Sequence, residues 1–259
     1  MRLVVALLLA IACQAAAAAN GEVAAILVHG KWGTPEPLYG SIGRALEKEG
    51  YVVAAPEMPW SRAGSYNGTI EQADTQIDAE IAKLKAAGAK RIVLIGHSLG
   101  AAYSLHYAGR SDVDALVAIA PGHRPESPRF APLYAADVKR ARELAAEGKG
   151  AEIVSFTDIN TGNRRARMTA SAASFISYFD PQGPMNMARN AGAVKAATAV
   201  LWMVPTREEP PLREGNLSLY KRLPQNPRTQ SVEPDTDHLQ APQAVAPTVI
   251  EWLRKTVEK

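Results

Sequence analysis

The chain has 259 residues, 47% of them hydrophobic and 21% charged, with 29 basic and 26 acidic side chains for a formal charge of +3. That composition belongs to a globular protein able to bury a sizeable core, which excludes an intrinsically disordered chain. The basic residues are scattered, with a small cluster at Arg164, Arg165 and Arg167 that reads as a solvated loop, so nucleic acid is not an expected partner.

Residues 1–19 read as an address. Arg2 gives a short positive segment, Leu3 to Ala12 is an apolar run, and the alanines at 15–19 offer a peptidase cut after Ala19. The apolar run is too short to span a bilayer, so a secretory signal peptide is expected and no stable membrane insertion after cleavage. Export to the periplasm or medium follows. Lipidation at Cys13, the one cysteine, is the alternative, and an uncleaved anchor a second. Without residues 1–19 the chain has no thiol, hence no disulfide and no cysteine nucleophile.

From residue 20 to 259 one domain is expected, alternating strands and helices. Val23 to Val28 is a continuous apolar run ending at His29-Gly30, which suits a strand buried on both faces. A helix is predicted over Pro37 to Glu49, stopped by Gly50, then a strand over Tyr51 to Ala55. Thr69 to Ala87 is a helix with Ile70, Ala73, Ile77, Ile81 and Leu84 on one stripe, ended by Gly88. A strand at Arg91 to Ile95, a helix at Leu99 to Ala108 and a strand at Val113 to Ala120 follow. Between Arg124 and Ala193 the rhythm falters: a helix near Ala135 to Ala146, a strand at Ile153 to Phe156, then no clear period. Ala199 to Val204 and Thr229 to Glu233 are further strands, and Ala246 to Val257 is a closing helix. The order predicts an α/β fold: a mostly parallel sheet of about six to seven strands with helices on both faces.

The chemistry sits at the strand ends. Gly96-His97-Ser98-Leu99-Gly100 joins a predicted strand to a predicted helix, and glycines two before and two after let the chain turn sharply under an exposed serine hydroxyl. The bland alternative is a glycine-rich strand-to-helix turn without a nucleophile. A hydroxyl needs a base, and His238, in the polar loop between the last strand and last helix, is the best candidate. Of the other histidines, His29 and His97 lie in turns they can buttress or line, His123 follows the fourth strand and can line the site, and His106 is expected to pack or face water. The acid should follow the strand at 199–204, where Glu208 is preferred and Glu209 is the alternative, with Asp235 and Asp237 behind them. Two backbone N–H groups are needed at a developing oxyanion: one from Leu99, the other from the turn His29-Gly30-Lys31-Trp32-Gly33, through Lys31 or, second, Trp32. Trp32 is also a candidate for lining the substrate site. No histidine, cysteine and carboxylate spacing points to a metal, and no cofactor is expected.

Taken together these segments resemble the α/β-hydrolase superfamily of esterases and lipases, over nearly all of residues 22 to 257. The order Ser98, Glu208, His238 is the family's order of nucleophile, acid and histidine. The resemblance implies a serine hydrolase that cleaves a small carboxylic ester or thioester through an acyl-enzyme, with residues 124–193 as a cap-like insertion. Two departures stand out: the acid turn carries Pro205 and Glu208 where Gly and Asp are usual, and the sheet begins near what would be the third strand. A serine at the elbow rules out dehalogenase chemistry, which needs a carboxylate there. A decayed hydrolase scaffold serving as a binding protein, and an acyltransferase with the same three residues, are the competing functions. Fold alone does not name the substrate.

Overall fold

The computed structural model describes residues 22–160 and 164–258. The leader expected at 1–19, with Cys13, lies outside the described residues. Six strands form the main sheet: β1 (Val23–Val28), β2 (Val52–Ala54), β3 (Arg91–His97), β4 (Ala115–Ile119), β7 (Ala199–Met203) and β8 (Gln230–Val232). They run in the order β2-β1-β3-β4-β7-β8, every neighbouring pair parallel. Parallel pairing requires a crossover between neighbours, and helices supply it on both faces.

The strand sequences explain the two faces. Successive side chains point to opposite sides. Ala24, Ile26 and Val28 of β1, with Leu94 of β3, Leu116 of β4 and Trp202 of β7, enter one core. Ala25, Leu27, Val93, Ile95, Val117, Leu201 and Met203 enter the other. Both sets are apolar because both faces are covered, which is why these segments read as unbroken apolar runs and not as alternation.

The first core is closed by α3 (Ile70–Ala86) and α4 (Leu99–Arg110), together with the insertion described below. Thr69 caps α3 reciprocally: its hydroxyl accepts from the Gln72 N–H, and Gln72 accepts from the Thr69 N–H. The predicted stripe from Ile70 to Leu84 is the buried one. The second core is closed by α10 (Ala246–Thr256), through Val249, Trp252 and Leu253, and by the segment after β1. That segment was expected as one plain helix. It is a short α1 (Pro35–Leu38), a π-helical turn (Tyr39–Gly43) and α2 (Arg44–Lys48). Leu38, Ile42 and Leu46 still share its buried face.

Between β4 and β7 lies an insertion richer in structure than its sequence suggested. It contains α5 (Ala131–Ala146), an antiparallel hairpin of β5 (Ile153–Asn160) and β6 (Arg164–Ser171), then α6 (Ala172–Phe179) and α7 (Met187–Ala193). The arginines expected in a solvated loop are on β6, where Arg165 and Arg167 face solvent and Met168 and Ala170 face inward. Arg167 reaches across to donate to the Ser155 carbonyl at 2.7 Å. Helix α6 escaped detection because it is short and largely apolar: its eight residues, with Ala172, Phe175, Tyr178 and Phe179 buried along with Ser174 and Ser177, are too few to tell a helical period from a buried apolar run. Its start was marked, since Ser171 accepts from the Ser174 N–H at 3.0 Å. Also unanticipated was α8 (Pro210–Tyr220), entered by prolines at its first positions. A short α9 (Ala241–Ala244) precedes α10.

Candidate active site

The carboxyl ends of β1, β3, β4, β7 and β8 converge on one cavity of about 380 Å³. At its centre is Ser98, between β3 and α4, with φ 55° and ψ −119°. An L-residue is rarely held there, and the surroundings impose it. The Ser98 N–H donates to the Ile119 carbonyl at 3.0 Å, and its carbonyl accepts from the Gly122 N–H at 3.1 Å. The flanking glycines leave no room for a side chain. A Cβ on Gly100 would lie 2.1 Å from the Val28 carbonyl oxygen, and one on Gly96 would lie 2.4 Å from the Gly100 oxygen. Gly122 is close as well, though less tightly held, its Cβ position being 3.0 Å from Ser98 Oγ.

His238 reaches Ser98 from the loop after β8. Its Nε2 is 2.9 Å from Ser98 Oγ and its Nδ1 is 2.5 Å from Glu208 Oε2. Glu208 is 7% exposed, and its other oxygen accepts the Glu209 N–H at 3.1 Å. The two loops that bring the pair together are joined along their backbones: the Thr206 N–H donates to the Pro234 carbonyl at 3.0 Å and the Arg207 N–H to the Thr236 carbonyl at 3.1 Å. The other acids expected near His238 are committed elsewhere. Glu209 faces Arg129 at 3.4 Å and is half-exposed, Asp235 pairs with Arg207 at 2.7 Å, and Asp237 accepts the N–H groups of Leu239 and Gln240 at 3.0 and 2.9 Å.

Leu99 opens α4 directly after Ser98, so its N–H has no partner within the helix. In the turn after β1, the Trp32 N–H is taken by the Trp60 carbonyl at 3.0 Å, and the Gly33 N–H by the Gly30 carbonyl at 3.0 Å. Of the two candidates in this turn, Trp32 is thus spent, which leaves Lys31. Gly30 lets the turn approach closely, since a Cβ there would sit 3.2 Å from Ser98 Cβ.

Three further histidines were expected to line or buttress the site, and His29, His97 and His123 all form part of the cavity wall. The His29 Nε2 accepts the Met58 N–H at 3.0 Å, which assigns the proton to Nδ1, donated to the Gly30 carbonyl at 2.8 Å. The His97 Nε2–H donates to the His238 carbonyl at 2.8 Å, so one histidine steadies the backbone of another. The His123 Nε2–H donates to the Tyr178 carbonyl at 2.7 Å. His106 is remote, pairing with buried Asp74 on α3. Trp32 does not line the cavity as expected. Its indole instead packs toward the insertion, donating to buried Asp158 and meeting the Tyr66 ring edge-on at 5.1 Å, while Lys31, Gly33 and Thr34 form that wall. Aromatic residues from the insertion and its approach, Phe130, Tyr134 and Phe179, supply apolar wall that sequence reasoning missed, along with Ile159.

Burial lowers the pKa of His97 to about 4, helped by the neighbouring His238, and burial lowers His123 to about 4. Both are neutral near pH 7. In the unfolded chain each would bind a proton near pH 6.5, so between about pH 4 and 6.5 the unfolded state holds more protons than the folded one. Stability from these two groups is complete above that window and falls on acidification through it, by up to roughly 1.4 kcal/mol per pH unit for each histidine. Urea midpoints at pH 7 and pH 5 measure this. The midpoint should drop at pH 5, and His123→Phe should reduce the drop; an unchanged or rising midpoint would contradict the assignment.

Among the described residues no group of histidine, cysteine and carboxylate side chains could hold a metal ion, and no helix is long and apolar enough to cross a membrane. Chemically, a hydroxyl, an imidazole and a buried carboxylate in line can make an alcohol nucleophilic, with N–H donors nearby to receive negative charge.

Comparison with known proteins agrees with this architecture. Residues 25–248 match the model of the alpha/beta hydrolase family, and the chain belongs to that family. No curated protein sequence matches it. Among solved structures, DcsB in complex with its substrate analogue superposes with a TM-score of 0.66 at 16% identity, covering 92% of each chain. The monoacylglycerol lipase of Paleococcus ferrophilus gives 0.63 at 21% identity, covering 90% of this chain and 94% of that one. Est1E of Butyrivibrio proteoclasticus with bound ferulic acid gives 0.62 at 16% identity, covering 91% and 90%. At these identities the likeness is one of fold.

Proposed function

We propose that the protein is a serine hydrolase that cleaves a small carboxylic ester or thioester through an acyl-enzyme. The observation that carries this reading is the continuous line from Glu208 Oε2 through His238 to Ser98 Oγ, at 2.5 and 2.9 Å. In the proposed cycle His238 Nε2 takes the Ser98 proton as Oγ bonds to the substrate carbonyl carbon. The carbonyl electron pair moves onto oxygen, where the Leu99 and Lys31 N–H groups receive it. Collapse expels the alcohol or thiol, which takes the proton from His238. Water then enters with His238 as base, attacks the acyl carbon, and releases the acid and Ser98. Glu208 keeps the Nδ1 proton in place and stabilises the imidazolium.

The cavity supports a small or medium apolar acyl or alcohol group. Its volume is at the lower end for ligand pockets, and Phe130, Tyr134, Ile159, Phe179, Leu212 and Leu239 line it. The direct test is labelling by a fluorophosphonate probe, which needs an activated serine. One equivalent should attach, at the peptide containing Ser98, and p-nitrophenyl butyrate should compete. A purified, folded protein that neither labels nor hydrolyses acyl esters would defeat the reading.

A further inference from the structure

The turn that carries Lys31 is fastened to the insertion by one buried carboxylate. Asp158, on β5, is 1% exposed. Its Oδ1 takes the Lys31 ammonium, and its Oδ2 accepts the Trp32 indole N–H at 2.7 Å. The ammonium also donates to the Ile159 carbonyl at 3.0 Å. Two consecutive side chains of the turn are thus held by two consecutive residues of a hairpin far along the chain. The hairpin is braced in turn by α5: Tyr134 Oη accepts the Ile159 N–H at 3.1 Å, and Asp137 accepts the Thr157 N–H at 2.7 Å.

This device is costly for a mere packing contact. Removing a lysine and an aspartate from water opposes folding, and apolar residues of similar size commonly serve stability as well or better. Burial pushes the Lys31 ammonium below its ordinary pKa even with Asp158 beside it. The turn itself needs holding, because Trp32 has φ 53°, in the left-handed region that a tryptophan rarely adopts. What the arrangement secures is geometry. The peptide that carries the Lys31 N–H is held through its Gly30 carbonyl, which accepts from the Gly33 N–H at 3.0 Å and from His29 Nδ1 at 2.8 Å, and the next peptide is held through the Trp32 N–H to Trp60; with both side chains pinned on the insertion side, the turn has little freedom to rotate.

We infer that Asp158 is a positioning residue for catalysis: through Lys31 and Trp32 it fixes the turn whose Lys31 N–H receives the oxyanion. The insertion then contributes to the chemical step as well as to the cavity wall. This rests on the serine hydrolase reading.

The test compares Asp158→Asn and Trp32→Phe with wild type in three measurements: kcat and KM for p-nitrophenyl butyrate, and the inhibition constant of an alkyl trifluoromethyl ketone. The ketone accepts Ser98 Oγ at its carbonyl carbon and becomes an oxyanion while the proton passes to His238, so it reports on the donors directly. Asp158→Asn should lower kcat about 10- to 100-fold and weaken the ketone by a similar factor, with KM within about threefold, since a misplaced donor harms only the charged state. Trp32→Phe, which deletes one N–H, should move the same two quantities in the same direction by about threefold. Thermal melting establishes that each variant is folded. If Asp158→Asn fails to fold, Trp32→Phe decides by the same readouts. A rise in KM with kcat and ketone affinity unchanged, or variants equal to wild type, overturns the inference while leaving the hydrolase reading intact. Wild-type protein that neither labels nor hydrolyses overturns both.

Discussion

Ser98→Ala should lose ester hydrolysis by about 10⁴-fold or more in kcat while keeping the wild-type fold and cavity. The size follows from the covalent route. Without Oγ no acyl-enzyme can form, and what remains is binding and two N–H donors acting on water. The backbone strain at position 98 survives in this variant, because alanine is no more at ease at φ 55° than serine. Glycine is at ease there. Ser98→Gly should therefore be equally inactive yet melt at or above the wild-type temperature, which would show that the fold tolerates strain for the sake of the hydroxyl. Retention of even a hundredth of the wild-type rate in highly purified Ser98→Ala would be incompatible with the proposed mechanism.

Glu208→Gln should cost about 10³- to 10⁴-fold in kcat, and Glu209→Gln less than about threefold. The contrast between adjacent glutamates is the informative part. Glu208 accepts two hydrogen bonds, from the Glu209 N–H on one oxygen and from His238 Nδ1 on the other. A glutamine at 208 satisfies the first with its carbonyl oxygen and so turns its NH₂ toward Nδ1. That forces Nδ1 to accept and moves the imidazole proton to Nε2, which then faces Ser98 Oγ with a hydrogen where a lone pair is required. Glu209 meets Arg129 at the half-exposed rim, away from the His238 ring nitrogens, so its charge should matter little to the reaction. The reverse ranking, measured on the same ester at the same pH, would move the acid to Glu209 and dismantle the site as described.

The parts of the fold that were legible in the sequence are those where burial has a period. The two-sided strands β1, β3, β4 and β7 read as apolar runs, and α3 and α10 as stripes. The elbow was legible because its glycines are sterically obligatory at Gly96 and Gly100, where the backbone leaves no space for a Cβ. Choosing among four acids was harder. Position along the chain favoured Glu208, but only three-dimensional placement shows Asp235 engaged by Arg207 of the neighbouring loop and Asp237 by the N–H groups of its own. Most of the insertion was opaque for physical reasons: α6 is only eight residues long and mostly buried, and β6 combines an arginine-rich outer face with only a brief alternation. Asp158 could not have been found, since its partners lie more than a hundred residues away and its strand was expected to end at Phe156. The role sought for Lys31 was a backbone one. Its side chain turned out to have a separate attachment.

Ser98 and His238 are 140 positions apart, and Glu208 lies 30 before the histidine. Each follows a different strand of the sheet, β3, β7 and β8, so a fragment ending before β8 cannot assemble the proposed triad. On the proposed mechanism a nascent or partly unfolded chain should show no turnover of esters. Enzymatic activity then becomes a stringent reporter of complete assembly: recovery of turnover during refolding should lag behind recovery of helix content and coincide with docking of the C-terminal strand.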